Sequence, residues 1–178
     1  NINAALEESL RRLRTDHVDV YFAHIDDQDV PLEDTLGAFS RLIEAGKVRA
    51  IGASNHTADR LQKALDVART QGLPRYEVVQ PAYSLYDRRD FEESLAPVIQ
   101  KEALGAVSYF SLASGFLSGK YHSKADLEGS SRKDFLEKYF DERGERILAA
   151  LREVSQKLDA PPARVALAWL LSRPGLTA

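Results

Sequence analysis

The chain has 178 residues, of which 44% are hydrophobic and 29% are charged, so it is long enough to bury a hydrophobic core. Its net charge of −3 leaves no basic surface for nucleic acid, and the absence of cysteine excludes disulfides, thiolate metal sites and a thiol nucleophile. The sequence contains neither an apolar run of about eighteen residues nor a basic-then-apolar leader, so we expect a cytoplasmic protein without membrane or nucleic-acid partners.

In chain order, the sequence predicts one helix and then strands and helices in alternation. The first helix has apolar residues at Ile2, Leu6, Leu10 and Leu13. Four apolar runs predict strands, and these are Val18 to His24, Val48 to Ser54, Val78 to Gln80 and Ala106 to Tyr109. Helical spacing predicts the helices between them, with apolar faces formed by Leu32, Leu36, Phe39 and Ile43, by Leu61, Leu65 and Ala68, and by Phe91, Leu95, Val98 and Ile99. This alternation is typical of a parallel sheet with helical crossovers.

The last third of the chain predicts a surface loop, two helices and a short strand. The loop covers residues 121–131, which are rich in Ser, Lys, Asp and Gly. One helix carries Ile147, Leu151, Val154 and Leu158 and stops at Pro161 and Pro162. A final helix from Ala163 to Ser172 precedes a strand, cut short, at Leu176 to Ala178.

These elements predict the α/β class and a TIM (β/α)8 barrel that is incomplete in this chain. A closed barrel needs roughly 200 to 250 residues. At about thirty residues for each strand and helix, the 178 residues hold about six units. We therefore expect residues 1–178 to form a single partial barrel domain that lacks N-terminal units and a C-terminal tail.

The end of the first strand carries the candidate catalytic residue His24. A barrel strand delivers its last residues to the C-terminal rim, where the functional residues of this fold gather. Asp26 follows closely and leaves open a metal-dependent barrel hydrolase that uses both residues. No second histidine stands at ligand spacing from His24, which makes the metal interpretation the weaker one.

The next three strands end on groups suited to a flat polar ring. Ser54, Asn55 and Gln80 offer a hydroxyl and two amides, which match the donor and acceptor of a carboxamide. Tyr109 can stack on such a ring. The residues after it are small, with hydroxyls and two glycines, which lets backbone N–H groups approach an anion such as a pyrophosphate. The same types of residue also occur in plain helix caps and cores.

Five segments of the chain closely resemble the aldo-keto reductase family. They read ALEESLRRLRTDHVDVYFAHIDD, LIEAGKVRAIGASNH, VVQPAYSLYDRR, SYFSLASGFLSGKY and PPARVALAWLLSRPGLTA. Their order matches the family from the helix before the fourth barrel strand to the opening of the eighth. The resemblance implies an NAD(P)(H)-dependent oxidoreductase that transfers a hydride between nicotinamide and a small carbonyl or alcohol substrate.

The resemblance also assigns roles to individual residues. His24 matches the catalytic histidine that orients the substrate carbonyl, and Tyr109 matches the aromatic residue under the nicotinamide ring. The cofactor-binding positions implied are Ser54, Asn55, Gln80, Tyr109, Phe110, Ser111, Leu112, Ser114, Gly115, Leu117 and Gly119. We favour NADP(H) over NAD(H), although no residue in the chain distinguishes the two.

Three departures from the family pattern limit this interpretation. The family's proton-donating tyrosine, with its lysine and aspartate, lies on the first three strands, and no residue here corresponds to them. Phe110 stands where a serine is common, and the tail that grips the adenosine 2′-phosphate has no counterpart. A non-catalytic nicotinamide-binding or interaction protein of the same fold therefore stays open as an alternative.

Overall fold

The computed structural model describes residues 2–178, which divide into two compact units. The first unit comprises residues 2–80 and 97–105, and the second unit comprises residues 81–96 and 106–178. None of the helices within residues 2–178 combines the length and the apolar character that a membrane crossing requires. The single partial barrel domain predicted from the sequence stays a prediction.

The first unit is built from parallel strands joined by helices. Its elements are α1 (Ile2–Leu13), β1 (Val18–Ala23), α2 (Leu32–Glu44), β2 (Val48–Ser54), α3 (Ala58–Gln71) and β3 (Tyr76–Gln80). Helix α4 (Ala96–Lys101) and the short strand β4 (Gly105–Ala106) follow later in the chain. The sheet has the order β1-β2-β3-β4, and the β1–β2 and β2–β3 pairs are parallel. The α/β class is confirmed.

The core of the first unit lies between the sheet and its helices. Leu36 and Phe39 of α2, Ile51 of β2 and Leu61 and Leu65 of α3 are all almost fully buried. The predicted faces of α2 and α3 are therefore confirmed, except that Leu42 rather than Ile43 completes the buried stripe of α2. In α1, Leu6 and Leu10 are buried, whereas the last predicted member, Leu13, is 65% exposed at the helix end.

The second unit consists mainly of helical segments. Its longer helices are α6 (Glu142–Leu158) and α7 (Pro162–Leu171), and α5 (Lys133–Leu136) is a single turn. A π-helical turn at Asp90–Leu95 runs directly into α4, so the predicted helix over this region is confirmed. Short 3₁₀ segments occupy Ala113–Ser118, Lys124–Leu127 and Glu137–Tyr139.

The aromatic core of the second unit is formed by the segment after β4 and by α6. Phe116, Tyr139 and Leu151 are buried together there. Two of the apolar residues from which α6 was predicted are exposed, Val154 at 40% and Leu158 at 64%. The buried stripe follows Gly144, Leu148, Leu151 and Ser155.

Strand number differs from the estimate made from chain length. Four strands form the sheet, whereas the sequence predicts about six units, because residues 110–141 form loops and short helices rather than another strand. Leu176 to Ala178 are not a strand. Their backbone nevertheless bonds to the end of β4: Thr177 N donates to Ala106 O at 2.8 Å and Ser108 N donates to Ala178 O at 2.9 Å. The incomplete barrel itself is confirmed.

Candidate active site

The predicted residues of the first unit lie at the carboxyl ends of three adjacent parallel strands. Ala23 is paired with Ala53 across β1 and β2, and Ser54 is paired with Gln80 across β2 and β3. Because parallel strands in register end at the same edge of the sheet, the residues that follow them are neighbours. His24 and Asn55 are the next residues of β1 and β2.

Hydrogen bonds link these strand ends into one chain. The Ser54 hydroxyl donates to the carbonyl oxygen of Gln80 at 3.0 Å. The Asn55 side-chain amide donates to the carbonyl oxygen of His24 at 2.7 Å and to the Ser54 hydroxyl at 3.2 Å. Four of the residues predicted from the sequence are thus brought together in the first unit.

Asn55 holds this position with a left-handed backbone. Its φ angle is +55°, a conformation that asparagine tolerates better than most residues do. This turn places the amide across β1, while the following residue, His56, is only 7% exposed. Ser54 is buried as well, whereas Asn55 is exposed. The polar edge of the sheet therefore has a buried part, at Ser54 and His56, and an accessible rim, at Asn55.

His24 is on that accessible rim. Its side chain is exposed, and its imidazole makes no hydrogen bond to any residue from 2 to 178. An imidazole in this state can donate to or accept from a small molecule. The structure leaves the predicted catalytic residue available for that use.

Beside His24 lies a buried polar cluster that the sequence analysis missed. Arg60 Nε is 3.0 Å from both carboxylate oxygens of Asp26, and His56 Nε2 is 3.8 Å from one of them. The hydroxyl of Tyr76 is buried without a hydrogen-bond partner among residues 2–178. Burial, and next the charge of Asp26, raise the pKa of Tyr76 to about 12. A basic residue in the first turn of the helix that follows Asn55 was the available sequence signal.

This cluster bears on the metal-dependent alternative. Asp26 is engaged by Arg60 instead of being presented beside His24 as a second ligand. Within residues 2–178, no group of three His, Cys, Asp or Glu side chains has an arrangement that could hold a metal ion. The geometry gives no support to a hydrolase that uses His24 and Asp26 on a metal.

The remaining predicted residues belong to the second unit and follow β4. Tyr109 forms an isolated parallel bridge with Ala82, and its backbone N–H donates to Pro81 O at 2.9 Å. Its ring is half-buried and meets the ring of Phe110 edge-on at 5.2 Å. Phe110 itself is 52% exposed. An accessible aromatic face therefore begins the loop.

The loop after Tyr109 has an unusual backbone. Positive φ angles occur at Phe110, Ala113, Ser114, Gly115 and Gly119. Three of these residues, Ala113, Ser114 and Gly115, are consecutive, and the N–H groups of Ala113, Gly115 and Leu117 donate within the loop to Phe110 O and Leu112 O. Ser111 contributes a hydroxyl that lies 3.0 Å from the Ser108 hydroxyl.

The side chains of two predicted loop residues pack into the core of the second unit. The side chain of Leu117 is fully buried in the core of the second unit, so only its backbone can contribute to binding. Leu112 packs against the same core. A basic residue outside the prediction, Arg132, donates from Nη1 to Ser114 O at 3.2 Å. Arg132, which directly follows the segment predicted as a surface loop, thus brings a cation against the predicted pyrophosphate-binding loop.

Comparisons with known proteins bear on the whole chain. The model of the aldo/keto reductase family matches residues 1–178. L-glyceraldehyde 3-phosphate reductase of Escherichia coli (strain K12) is 30% identical over 174 residues, which cover 94% of this chain and 50% of that protein. A probable voltage-gated potassium channel subunit beta of Oryza sativa subsp. japonica is 31% identical over 183 residues, which cover 99% of this chain and 56% of that protein.

A solved structure shows the same fold. Glycerol dehydrogenase from Gluconobacter oxydans superimposes with a TM-score of 0.80 at 24% sequence identity, over 98% of this chain and 52% of the other. The chain therefore spans about half the length of the relatives that it matches.

Proposed function

The chain belongs to the aldo-keto reductase family, and from this premise we propose that the protein is an oxidoreductase. It transfers a hydride between a nicotinamide dinucleotide and a small carbonyl or alcohol substrate. The observation that carries the proposal is the hydrogen-bonded chain of His24, Asn55, Ser54 and Gln80 at one edge of a parallel sheet. This edge places an accessible imidazole beside groups that match a carboxamide.

His24 acts on the substrate. Its imidazole N–H donates to the carbonyl oxygen, which polarises the C=O bond and sets its orientation. A positioned donor of this kind stabilises the negative charge that develops on oxygen during the reaction. The exposed position of His24 supports this role.

Ser54, Asn55 and Gln80 suit the nicotinamide carboxamide, and the family resemblance assigns Tyr109 to the face of the nicotinamide ring. The two amides carry both donors and acceptors, and a hydroxyl that donates can still accept a hydrogen bond. The nicotinamide supplies the hydride when it is bound. The chain's own contribution is to hold the carboxamide so that the ring has one orientation.

The loop from Phe110 to Gly119 suits the pyrophosphate of the same cofactor. Its glycines and small side chains let an anion approach the backbone closely, and the guanidinium of Arg132 against Ser114 O supplies a positive charge. We propose NADP(H) rather than NAD(H) as the cofactor, although Arg132 does not distinguish them, because both carry the pyrophosphate.

No tyrosine of this chain is proposed as the proton donor. An efficient general acid has a pKa near the working pH, whereas burial raises the pKa of Tyr76 to about 12. Burial, together with a hydrogen bond to Glu92, also raises the pKa of Tyr83. Both groups are therefore poor acids for the carbonyl oxygen at neutral pH, and the proton that this oxygen takes up with the hydride comes from solvent or from a residue outside this chain.

A cofactor titration combined with a turnover assay tests the proposal. Purified full-length protein is titrated with NADPH and NADH by fluorescence, and absorbance at the nicotinamide band is then followed with aldehydes and ketones. We expect saturable binding that is tighter for NADPH, and cofactor oxidation that depends on the carbonyl. Binding without turnover would favour a non-catalytic nicotinamide-binding protein, a candidate that the similarity to a channel subunit beta supports. No binding would contradict both.

A further inference from the structure

One side chain is buried in an otherwise accessible segment after β1. Residues 24–30 form bends and turns, and Ile25 is 69% exposed. The side chain of Asp26 is only 8% exposed, although its backbone neighbours face solvent. A carboxylate that turns inward from an exposed loop must have a compensating partner, because burial of an unpaired charge is costly.

Arg60 of α3 is that partner, and it contacts the segment at more than one point. Its Nε is 3.0 Å from both oxygens of Asp26. Its Nη2 donates to Val30 O at 3.3 Å. The guanidinium thus holds both the start and the end of the segment that follows His24.

Helix α3 fixes the position of Arg60 relative to the edge of the sheet. The Thr57 side chain caps α3 by accepting from Arg60 N at 3.3 Å, and Leu61 is fully buried. Arg60 therefore sits in the ordered first turn of the helix, and its own side chain is 21% exposed. Arg60 therefore connects the end of β2, through the start of α3, to the segment after β1.

His24 lies between two anchors. Its carbonyl oxygen accepts from the Asn55 amide at 2.7 Å, and the residue two positions later is held by Arg60. Without the second anchor, the exposed segment has one side-chain hydrogen bond near His24 to define the direction of its backbone. Because the backbone is held at His24 and again at Asp26, the direction of the His24 Cα–Cβ bond is fixed. The imidazole can then reach only a narrow range of positions.

We propose that the Arg60–Asp26 ion pair is a positioning device for His24, and this inference rests on the proposed function. The guanidinium and the carboxylate bond to each other and to the backbone of the segment, so the pair is assigned a positioning role and no direct part in the chemistry. It acts by keeping the imidazole where a carbonyl oxygen can meet it. A displacement of about 1 Å at a reacting group can cost about 10²-fold in rate, so a loop anchor is sufficient to affect catalysis.

A double-mutant cycle between Arg60→Gln and His24→Ala in the full-length protein tests the inference. We expect Arg60→Gln to lower kcat/KM for a carbonyl substrate about 10- to 100-fold, with the Kd of NADPH unchanged. In the His24→Ala background the same change should cause no further loss, because there is no imidazole left to position. Arg60→Lys, which keeps the charge and loses the planar fork, should fall between the wild type and Arg60→Gln and serves if Arg60→Gln does not fold.

Arg69→Gln is the matched control. Arg69 lies on the same helix and pairs with Glu102, whose side chain is also 8% exposed, at 2.9 Å. It makes no contact with residues 24–30, so its loss should leave kcat/KM unchanged. An effect of Arg69→Gln equal to that of Arg60→Gln, or additive losses in the cycle, would overturn the inference and assign the pair to general stability.

A nuclear magnetic resonance measurement separates failure of the inference from failure of the proposed function. If the wild type reduces no carbonyl, the proposed function is wrong and the imidazole signals of His24 decide alone. Shifted or broadened His24 signals in Arg60→Gln, with those of His17 unchanged, would support the positioning device. Unchanged His24 signals would refute it.

Discussion

At the scale of single residues, the account depends first on His24. We predict that His24→Ala lowers kcat/KM for carbonyl reduction by about 10²- to 10³-fold, the usual loss when one donor to a developing oxyanion is removed. Cofactor affinity should stay unchanged, because the imidazole is assigned to the substrate. Steady-state kinetics and a fluorescence titration measure the two quantities.

His17→Ala is a suitable comparison for that variant. His17 lies just before β1, where its ring nitrogen is 2.7 Å from Asp16, and it has no place in the proposed site. Its replacement should leave both quantities unaltered. A His24→Ala protein with normal kinetics would remove His24 from the mechanism.

Two substitutions of Asn55 separate the effect of its side-chain amide from the effect of its left-handed backbone. Asn55→Ala and Asn55→Gly both remove the amide assigned to the nicotinamide carboxamide, so each should weaken NADPH binding by about 1 to 3 kcal/mol. Only the alanine variant keeps a Cβ at φ +55°, and it should therefore unfold more easily than the glycine variant. Equal binding by all three proteins would show that the amide does not hold the cofactor.

The sequence predicts site residues that follow local patterns better than it predicts pairs of residues that are far apart in the chain. His24, Ser54, Asn55 and Gln80 could be located because each follows an apolar run that predicts a strand. The pair of Asp26 with Arg60 could not, since 34 positions separate them and neither helical nor strand periodicity relates them. Pairing between side chains of different elements becomes visible only when the fold is known.

At the scale of elements, the loop after Tyr109 depends on the close approach of Gly119 to α7. A Cβ built at Gly119 would lie 2.8 Å from Pro162 Cγ, and the residue has φ +85°. We predict that Gly119→Ala lowers the free energy of unfolding through both the backbone strain and the clash. Chemical denaturation with urea measures the change.

Gly129 provides the control for the backbone contribution. Its φ is +76° with no atom within 4 Å of an added Cβ, so Gly129→Ala should cost only about 1 to 2 kcal/mol from the left-handed backbone. Gly119→Ala should cost about 1 to 3 kcal/mol more, the usual range for overpacking. Equal losses in the two variants would contradict the packing assigned to Gly119.

Helices were predicted best where nearly all of their apolar residues lie on a single buried face. The faces of α2 and α3 were foreseen because their apolar residues match the sheet surface that covers them. Helix α6 has more apolar residues than buried positions, and Val154 and Leu158, from which the helix was predicted, are exposed. Periodicity gives the orientation of a helix, but the amount of surface available to cover it depends on the tertiary structure.

At the scale of the whole molecule, stability should fall at acid pH in part through Glu92. A hydrogen bond from Arg88 is the main cause that lowers the pKa of Glu92 below its ordinary value of 4.5. Because the folded pKa is lowered, this contribution to stability is complete above pH 4.5 and is lost as the pH falls through the folded pKa.

Glu92→Gln should therefore flatten the acid limb of a plot of Tm against pH below about 4.5 and lower Tm near neutral pH. Glu93→Gln is the natural control, since its 3.9 Å ion pair with Arg89 is exposed on both sides. If the acid limb of Glu92→Gln were as steep as that of the wild type, the contribution assigned to this ion pair would be wrong.

Direct detection of hydride transfer tests the central claim most directly. The full-length protein is incubated with NADPH deuterated at one face of the nicotinamide C4 and with an aldehyde, and the alcohol is examined by mass spectrometry. We predict that deuterium from one face only appears on the carbinol carbon, at a rate that His24→Ala reduces by about 10²- to 10³-fold. Alcohol formed without deuterium from either face, or no alcohol at any cofactor concentration, would contradict the assignment of this chain to hydride-transfer chemistry.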